Sequence, residues 1–94
     1  MEDAMPCKRL RITGVVQGVG YRAWAKRLAG MLGVKGYVRN MPDGSVEMVV
    51  CAEDKLVNVM INAAKKGPAA SVVKDVEVFD VDYKPEDKEF RIWV

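Results

Sequence analysis

The sequence contains no histidine. That absence removes the only side chain that ordinarily titrates near neutral pH. With it go His-based general acid–base work, Ser-His-Asp and Cys-His nucleophile systems, and the commonest metal ligand. Cysteine is nearly absent too: Cys7 and Cys51 are far apart in the chain and cannot assemble a zinc site without histidine. No apolar run approaches the roughly 18–20 residues of a membrane span, so no membrane association is expected. The opening Met1-Glu2-Asp3-Ala4-Met5-Pro6 lacks the basic start and apolar stretch of a signal peptide, which leaves the cytoplasm as the expected compartment. A strong charge of either sign is also missing. Fifteen Lys and Arg against 13 Asp and Glu give a net charge of +2, too weak to argue for nucleic acid but suited to a small anionic substrate. Any chemistry must come from carboxylates, lysine, arginine, amides, the backbone or the substrate itself.

What is present reads as one ordinary globular domain. Half of the 94 residues are hydrophobic and 30% are charged, with no linker, repeat or low-complexity tract. A single domain is expected over residues 1–94, with residues 1–6 as a flexible lead and a monomer as the default state. Cys7 to Thr13 alternates, placing Leu10 and Ile12 on one side and Cys7, Arg9, Arg11 and Thr13 on the other, as in a half-buried strand. Tyr21, Trp24, Ala25, Leu28 and Leu32 recur at helical spacing, and Gly33 follows where a helix C-terminus favours glycine. Val34 to Asn40 predicts a second strand. Met41-Pro42-Asp43-Gly44 predicts a turn, and Ser45 to Cys51 a third strand with Val46, Met48 and Val50 inward. Glu53 to Lys66 predicts a second helix with Leu56, Val59, Met60, Ala63 and Ala64 in its stripe; Gly67-Pro68 stops it. Val72 to Tyr83 predicts a long strand whose phase slips, through either a bulge near Val78-Phe79 or an extension beyond the sheet edge. After a turn around Pro85-Glu86-Asp87, a last strand puts Phe90, Ile92 and Val94 on one face. The order predicts an α+β, ferredoxin-like βαββαβ sandwich. It has an antiparallel sheet, two helices on one face and a short extra C-terminal strand.

Between the first strand and first helix lies Gly14-Val15-Val16-Gln17-Gly18-Val19-Gly20-Tyr21-Arg22. Its glycines free the backbone to curl N–H groups toward one point at a helix N-terminus, where partial positive charge collects. Many such connections are glycine-rich only for packing. The loop has neither the Gly-Lys-Ser/Thr of a Walker loop nor the spacing of a dinucleotide fingerprint. Arg22 tips the balance: a cation in the first turn opposes the helix dipole unless an anion sits between. Asn40 holds an inward position where an apolar residue is expected. It serves either as a turn-side cap or as a neutral amide able to hold a water. Other partial motifs fail. Lys35-Gly36-Tyr37 begins like an RNA-recognition motif, but Val38 and Arg39 break it. Asp80-Val81-Asp82 lacks the Thr or Val of aspartyl-phosphate chemistry at Lys84, and Thr13 stands where a Cys-x5-Arg loop starting at Cys7 needs arginine.

Gly14 to Arg22 resembles the first signature of the acylphosphatases. Gly36-Tyr37-Val38-Arg39-Asn40 followed by Gly44-Ser45-Val46 resembles the second, and Gly67-Pro68 and the ending Phe90-Arg91-Ile92 also look like that family. Tyr21 stands where phenylalanine is usual, and Ala52 where glycine usually closes the second signature. The resemblance implies a hydrolase that splits the carboxyl–phosphate anhydride of small acyl phosphates, with no metal, cofactor or covalent intermediate. By match, Arg22 and the loop amides of Gln17, Gly18, Val19, Gly20 and Tyr21 would bind the phosphoryl group, and Asn40 would position the attacking water. It further implies that the substrate phosphate takes the water's proton. The implied partner is a small-molecule acyl phosphate. The alternative is a non-catalytic module of the same fold that binds a phosphorylated metabolite.

The cysteines are informative within this topology, where the first and third strands are antiparallel neighbours. If Thr13 lies opposite Ser45, Cys7 lies opposite Cys51, at the end of the sheet away from the glycine loop. Cross-strand Cβ separations of about 4.5–5.5 Å approach what a disulfide needs. A bridge is expected to be possible on oxidation, against free thiols in a reducing compartment.

Overall fold

A computed structural model of the chain describes residues 6–85 and 88–93. Residues 1–5 of the expected lead, Glu86 and Asp87 of the expected turn, and Val94 lie outside the described residues. The elements are β1 (Cys7–Val15), α1 (Tyr21–Leu32), β2 (Lys35–Asn40), β3 (Val46–Cys51), α2 (Asp54–Lys66), β4 (Val72–Asp80) and β5 (Phe90–Ile92). The strands form one sheet in the order β4-β1-β3-β2-β5. The first four pair antiparallel, and β5 adds to β2 in parallel, so the sheet is mixed at its last edge. Both helices cover one face. The ferredoxin-like sandwich expected from the element order is the fold observed.

The alternation in β1 and β3 dictates the core. Leu10, Ile12, Val46, Met48 and Val50 are buried beneath the helices, against Ala25 and Ala29 of α1 and Val57, Met60 and Ala64 of α2. Each fully buried large aliphatic contributes roughly 1.5–3 kcal/mol. The alanines let the helix axes approach the sheet closely. Gly33 ends α1 at φ 75°, donating its N–H to the Ala29 carbonyl, as the sequence predicted. The face of α2 differs from expectation: Val57 is buried, whereas Val59 is 41% exposed. The apolar positions of α2 spread over more than one stripe, and packing selects the triplet Val57, Met60 and Ala64.

No bulge lies near Val78-Phe79 among the described residues. The other expectation holds, since β4 ends at Asp80 and the chain runs on beyond the sheet edge, and a separate bulge lies near the start of the strand. The β1–β4 register shifts between Thr13, opposite Asp75, and Gly14, opposite Val73, leaving Lys74 as the extra residue. Gly14 has φ 127°, and a Cβ there would run into the Val72 carbonyl oxygen, so glycine is demanded by close strand approach. Beyond Asp80 the chain leaves the strand. Val81 and Tyr83 then pack onto Cys7, Tyr37, Val49 and Cys51 on the sheet face opposite the helices. The end of that face near Cys7 and Cys51 is therefore covered, and Val49 and Cys51 are buried although their parity points away from the main core. Trp93 extends the cover, stacking on Tyr37 at 3.7 Å between ring centroids. Pro6, assigned to the flexible lead, is tied in by its carbonyl, which accepts from the Ala52 N–H.

The register places Cys7 opposite Cys51, as strand topology predicts, and the two are joined by a disulfide.

Candidate active site

The nine residues from Gly14 to Arg22 split into two kinds of position. Gly14 belongs to the β1–β4 contact. Gly18 and Gly20 have φ 77° and 80° with open space around them, so they serve the turn itself. Gly20 is the N-cap of α1 and offers no side chain to the first amides, and the first turn carries no acidic residue. The helix thus presents uncapped N–H groups and its positive end toward the loop.

A cavity of about 240 Å³ opens at that end. Gly18, Gly20, Tyr21 and Arg22 line one part of it, and Asn40 lines it from the end of β2. The two side chains singled out from separate stretches of the sequence therefore meet. Arg9, Arg11 and Arg39 are engaged by Glu47, Asp43 and Glu77, whereas no ion pair among the described residues engages Arg22. Of the loop residues expected to bind phosphate, Gln17 and Val19 do not line the cavity. Val19 packs against the core, and the Gln17 side chain turns to the β2–β3 hairpin.

Gln17 was expected to act only through its backbone amide; the contact made by its side chain is what sequence reasoning missed. Gln17 Nε2 donates to the carbonyls of Met41 and Ser45, each at 2.8 Å. Met41 directly follows Asn40, so the amide latches the glycine loop to the strand end carrying the second site residue. The hairpin is itself braced. Met41 N–H donates to the Ser45 carbonyl, while Asp43 Oδ1 accepts from the Ser45 N–H and hydroxyl at 2.9 and 2.6 Å. Those donors, with Arg11, hold the Asp43 carboxyl well below its ordinary pKa. The only sequence signal for the latch was a polar amide amid glycines.

Tyr21, which follows Gly20, is buried, and its hydroxyl donates to the Ala64 carbonyl of α2 at 2.8 Å. Burial pushes its pKa up, so it stays a neutral donor. The cavity wall is completed by apolar groups: Val16 of the loop, Ala23 of α1 and Ile92 of β5. Ile92 and Ala23 were not anticipated as site residues. Among the described residues no three of Cys, Asp or Glu converge where a metal ion could be held. No helix there is long and apolar enough to cross a membrane.

The arrangement can hold a small oxyanion between a helix N-terminus and a guanidinium, with a neutral amide alongside. Comparisons with known proteins give the family. The acylphosphatase family model matches residues 8–92. An acylphosphatase of Methanothrix thermoacetophila is 43% identical over 86 residues, covering 92% of this chain and 94% of its own. The crystal structure of acylphosphatase from Bacillus subtilis superposes with a TM-score of 0.89 at 29% identity, covering 96% of this chain and all of that one. A full-length HypF, solved in its phosphate- and nucleotide-bound form, matches all of this chain with 12% of its own, at a TM-score of 0.83 and 28% identity. With the family model spanning nearly the whole sequence and near-full-length relatives named for the same activity, this chain belongs to the acylphosphatase family.

Proposed function

We propose that the chain hydrolyses the carboxyl–phosphate anhydride of small acyl phosphates using only its own side chains and amides, without metal or covalent intermediate. The observation that carries the reading is the meeting of Arg22 and Asn40 at one cavity beside the uncapped start of α1. The dianionic phosphoryl group is held by the amides of Gly18, Gly20 and Tyr21, which line the cavity, and by the Arg22 guanidinium. Asn40 orients a water through its amide, which both donates and accepts. The water oxygen attacks phosphorus while the phosphorus–oxygen bond to the acyl group breaks. The carboxylate leaves with the electron pair, and the water's proton passes to a non-bridging phosphoryl oxygen. Carboxylate and dihydrogen phosphate result, and charge balances without a protein base. An acyl phosphate has a good leaving group and a loose transition state, so positioning and charge stabilisation suffice.

The test is loss of benzoyl phosphate followed by absorbance in EDTA. Turnover unaffected by EDTA is expected; turnover abolished by EDTA overturns the metal-free reading. Arg22→Gln and Asn40→Ala should each lower kcat by about 10²–10³-fold, with far-UV circular dichroism unchanged. Near-wild-type turnover in Asn40→Ala sinks the water-positioning role. Tight phosphate binding without turnover by the wild type would favour the metabolite-binding alternative.

A further inference from the structure

A second cavity, of about 380 Å³, lies farther along α1. It falls within the roughly 300–1,000 Å³ range of ordinary ligand pockets, and none of its lining residues takes part in the proposed hydrolysis. Arg22, Lys26 and Gly30 recur at a spacing of four and share one face of α1. Arg22 lines the first cavity with Ile92 of β5, whereas Lys26 and Gly30 line the second with Phe90 of the same strand. Lys26 Nζ donates to the Phe90 carbonyl at 3.1 Å, tying helix to strand. At 1.5 Å per residue Gly30 lies about 12 Å along the helix from Arg22, so the two cavities are separate places.

Gly30 has no structural reason to be glycine. It sits inside α1 without a positive φ, and a Cβ there would meet no atom within 4 Å. Neither a turn nor close packing demands it, yet glycine weakens a helix interior relative to alanine. Its effect is to leave the cavity mouth uncovered. Below that mouth the floor is apolar, since Ala29, Val34 and Phe90 are all buried. The Ala29 carbonyl already receives the N–H groups of Gly33 and Val34, so it needs no donor from an occupant. The rim is charged and exposed: Lys26 and Lys88 against Glu89, two cations and one anion.

We propose that this groove binds a small amphipathic monocarboxylate, with its apolar body on Ala29, Val34 and Phe90 and its carboxylate at the rim with Lys26 and Lys88. Lys26 spends one of its three donors on Phe90 and keeps two for the carboxylate. The carboxylate remains in contact with water there, so no ion has to be buried. Glu89 disfavours a dianion, which would meet a like charge at the same rim. The ligand therefore differs in kind from the phosphoryl group held at Arg22, and its binding does not depend on the hydrolysis.

The experiment titrates benzoate into isotopically labelled wild-type protein and follows the backbone amide resonances, with excess inorganic phosphate present to occupy the glycine loop. Benzoate should shift the amides of Gly30, Gly33 and Val34, with a dissociation constant of about 1 mM, within the bound for so small a ligand. Benzyl alcohol, which has the ring without the charge, should bind about tenfold more weakly, as should benzoate to Lys26→Gln and Lys88→Gln. Gly30→Leu suits a helix and fills the mouth, so it should also weaken benzoate binding by about tenfold or more. Its turnover of benzoyl phosphate should stay within about twofold of wild type, because about two helical turns separate it from Arg22. The lysine variants change only exposed side chains and carry the test if leucine unsettles α1. Shifts confined to Gly18, Gly20 and Asn40 would place benzoate in the active site and overturn the proposal. Absence of any shift at millimolar benzoate would do the same, as would equal affinity for benzyl alcohol or undiminished binding in the folded variants.

Discussion

Gln17 and Met41 are joined by a 2.8 Å hydrogen bond from the side-chain amide of one to the main-chain carbonyl of the other, and that bond spans the two halves of the site. The glycine loop has φ > 0 at Gly18 and Gly20 and no side-chain cap at α1; Val16 and Val19 pack it onto the core, and the Gln17 amide ties it to the β2–β3 hairpin. Gln17→Leu removes both donated bonds while keeping the side-chain volume. It should cost about 1–3 kcal/mol of stability, measured by urea unfolding. A displacement of the loop near 1 Å should lower kcat/KM for benzoyl phosphate by about 10–100-fold. Gln17→Glu, which cannot donate, should behave no better. Wild-type kinetics in Gln17→Leu would show that the loop is held without the latch.

Tyr21 makes the corresponding bond on the other side of the loop. Ala64 lies in the last turn of α2, where carbonyls have no donor within the helix, and the residue four ahead is Pro68, which has no N–H. The tyrosine hydroxyl supplies the missing donor from α1. Gly67 allows this approach, since a Cβ there would meet the Tyr21 ring at 3.0 Å. Tyr21→Phe should therefore destabilise by about 1–2 kcal/mol, by leaving a buried carbonyl unpaired. Catalysis should change by less than about threefold, since the hydroxyl is spent on α2. Chemical unfolding and steady-state kinetics on the same preparation check both parts.

The contrast between these two residues explains what was legible in the sequence. Period-two alternation around Leu10 and Ile12, helical spacing from Tyr21 to Leu32 and the stop at Gly33 are local signals, and the fold follows them. The pairing of Cys7 with Cys51 is distant in sequence yet legible, because one anchored register fixes every other pair between β1 and β3. Arg22 and Asn40 stood out because each broke a local rule, a cation at a helix N-terminus and an amide at an inward strand position. Gln17 and Ile92 broke none. Their meaning depends on carbonyls at 41 and 45 and on β5 adding in parallel to β2, and neither leaves a mark nearby. Lys74 was missed for the same reason: its bulge lies opposite Gly14 on the neighbouring strand and shows only once the two strands are paired. The cover over Val49 and Cys51 comes from Val81 and Tyr83, and Trp93 stacks on Tyr37 beside them; no periodicity announces that return across the sheet.

Acid should weaken the hairpin before it weakens the core. The Ser45 hydroxyl and N–H and the Arg11 guanidinium depress the pKa of Asp43, and Lys8 depresses that of Asp80. A depressed carboxylate contributes stability that is present above its ordinary value of 3.8 and is lost as pH falls through the lower folded value. The urea midpoint should therefore be flat from pH 7 to about 5 and decline below about pH 4. Both groups are exposed, so 1 M salt should flatten much of the decline. Asp43→Asn keeps an oxygen acceptor for Ser45 but has no charge to lose, so its midpoint should vary less with pH over the acid range. A midpoint as acid-sensitive as that of the wild type would place the dependence elsewhere.

The disulfide is the remaining long-range constraint, and its position separates stability from catalysis. Cys7 opens β1, while the glycine loop leaves the far end of the same strand; at about 3.3 Å per residue the two lie more than 20 Å apart. The bridge spans a sequence separation of 44, for which loop-closure entropy predicts up to about 4 kcal/mol, with about 2–4 usual in practice. It also links the two strands beneath Tyr83 and Tyr37, inside the cluster that covers that end of the outer face. Cys7→Ala/Cys51→Ala should therefore unfold at lower urea while hydrolysing benzoyl phosphate at a rate within about twofold of the oxidised protein. Titration of thiols in the unfolded wild type should find none without reductant and two with it. Two thiols in air-equilibrated protein would show that the bridge does not form, whereas a large loss of kcat in the alanine variant would mean that the outer face supports the site after all.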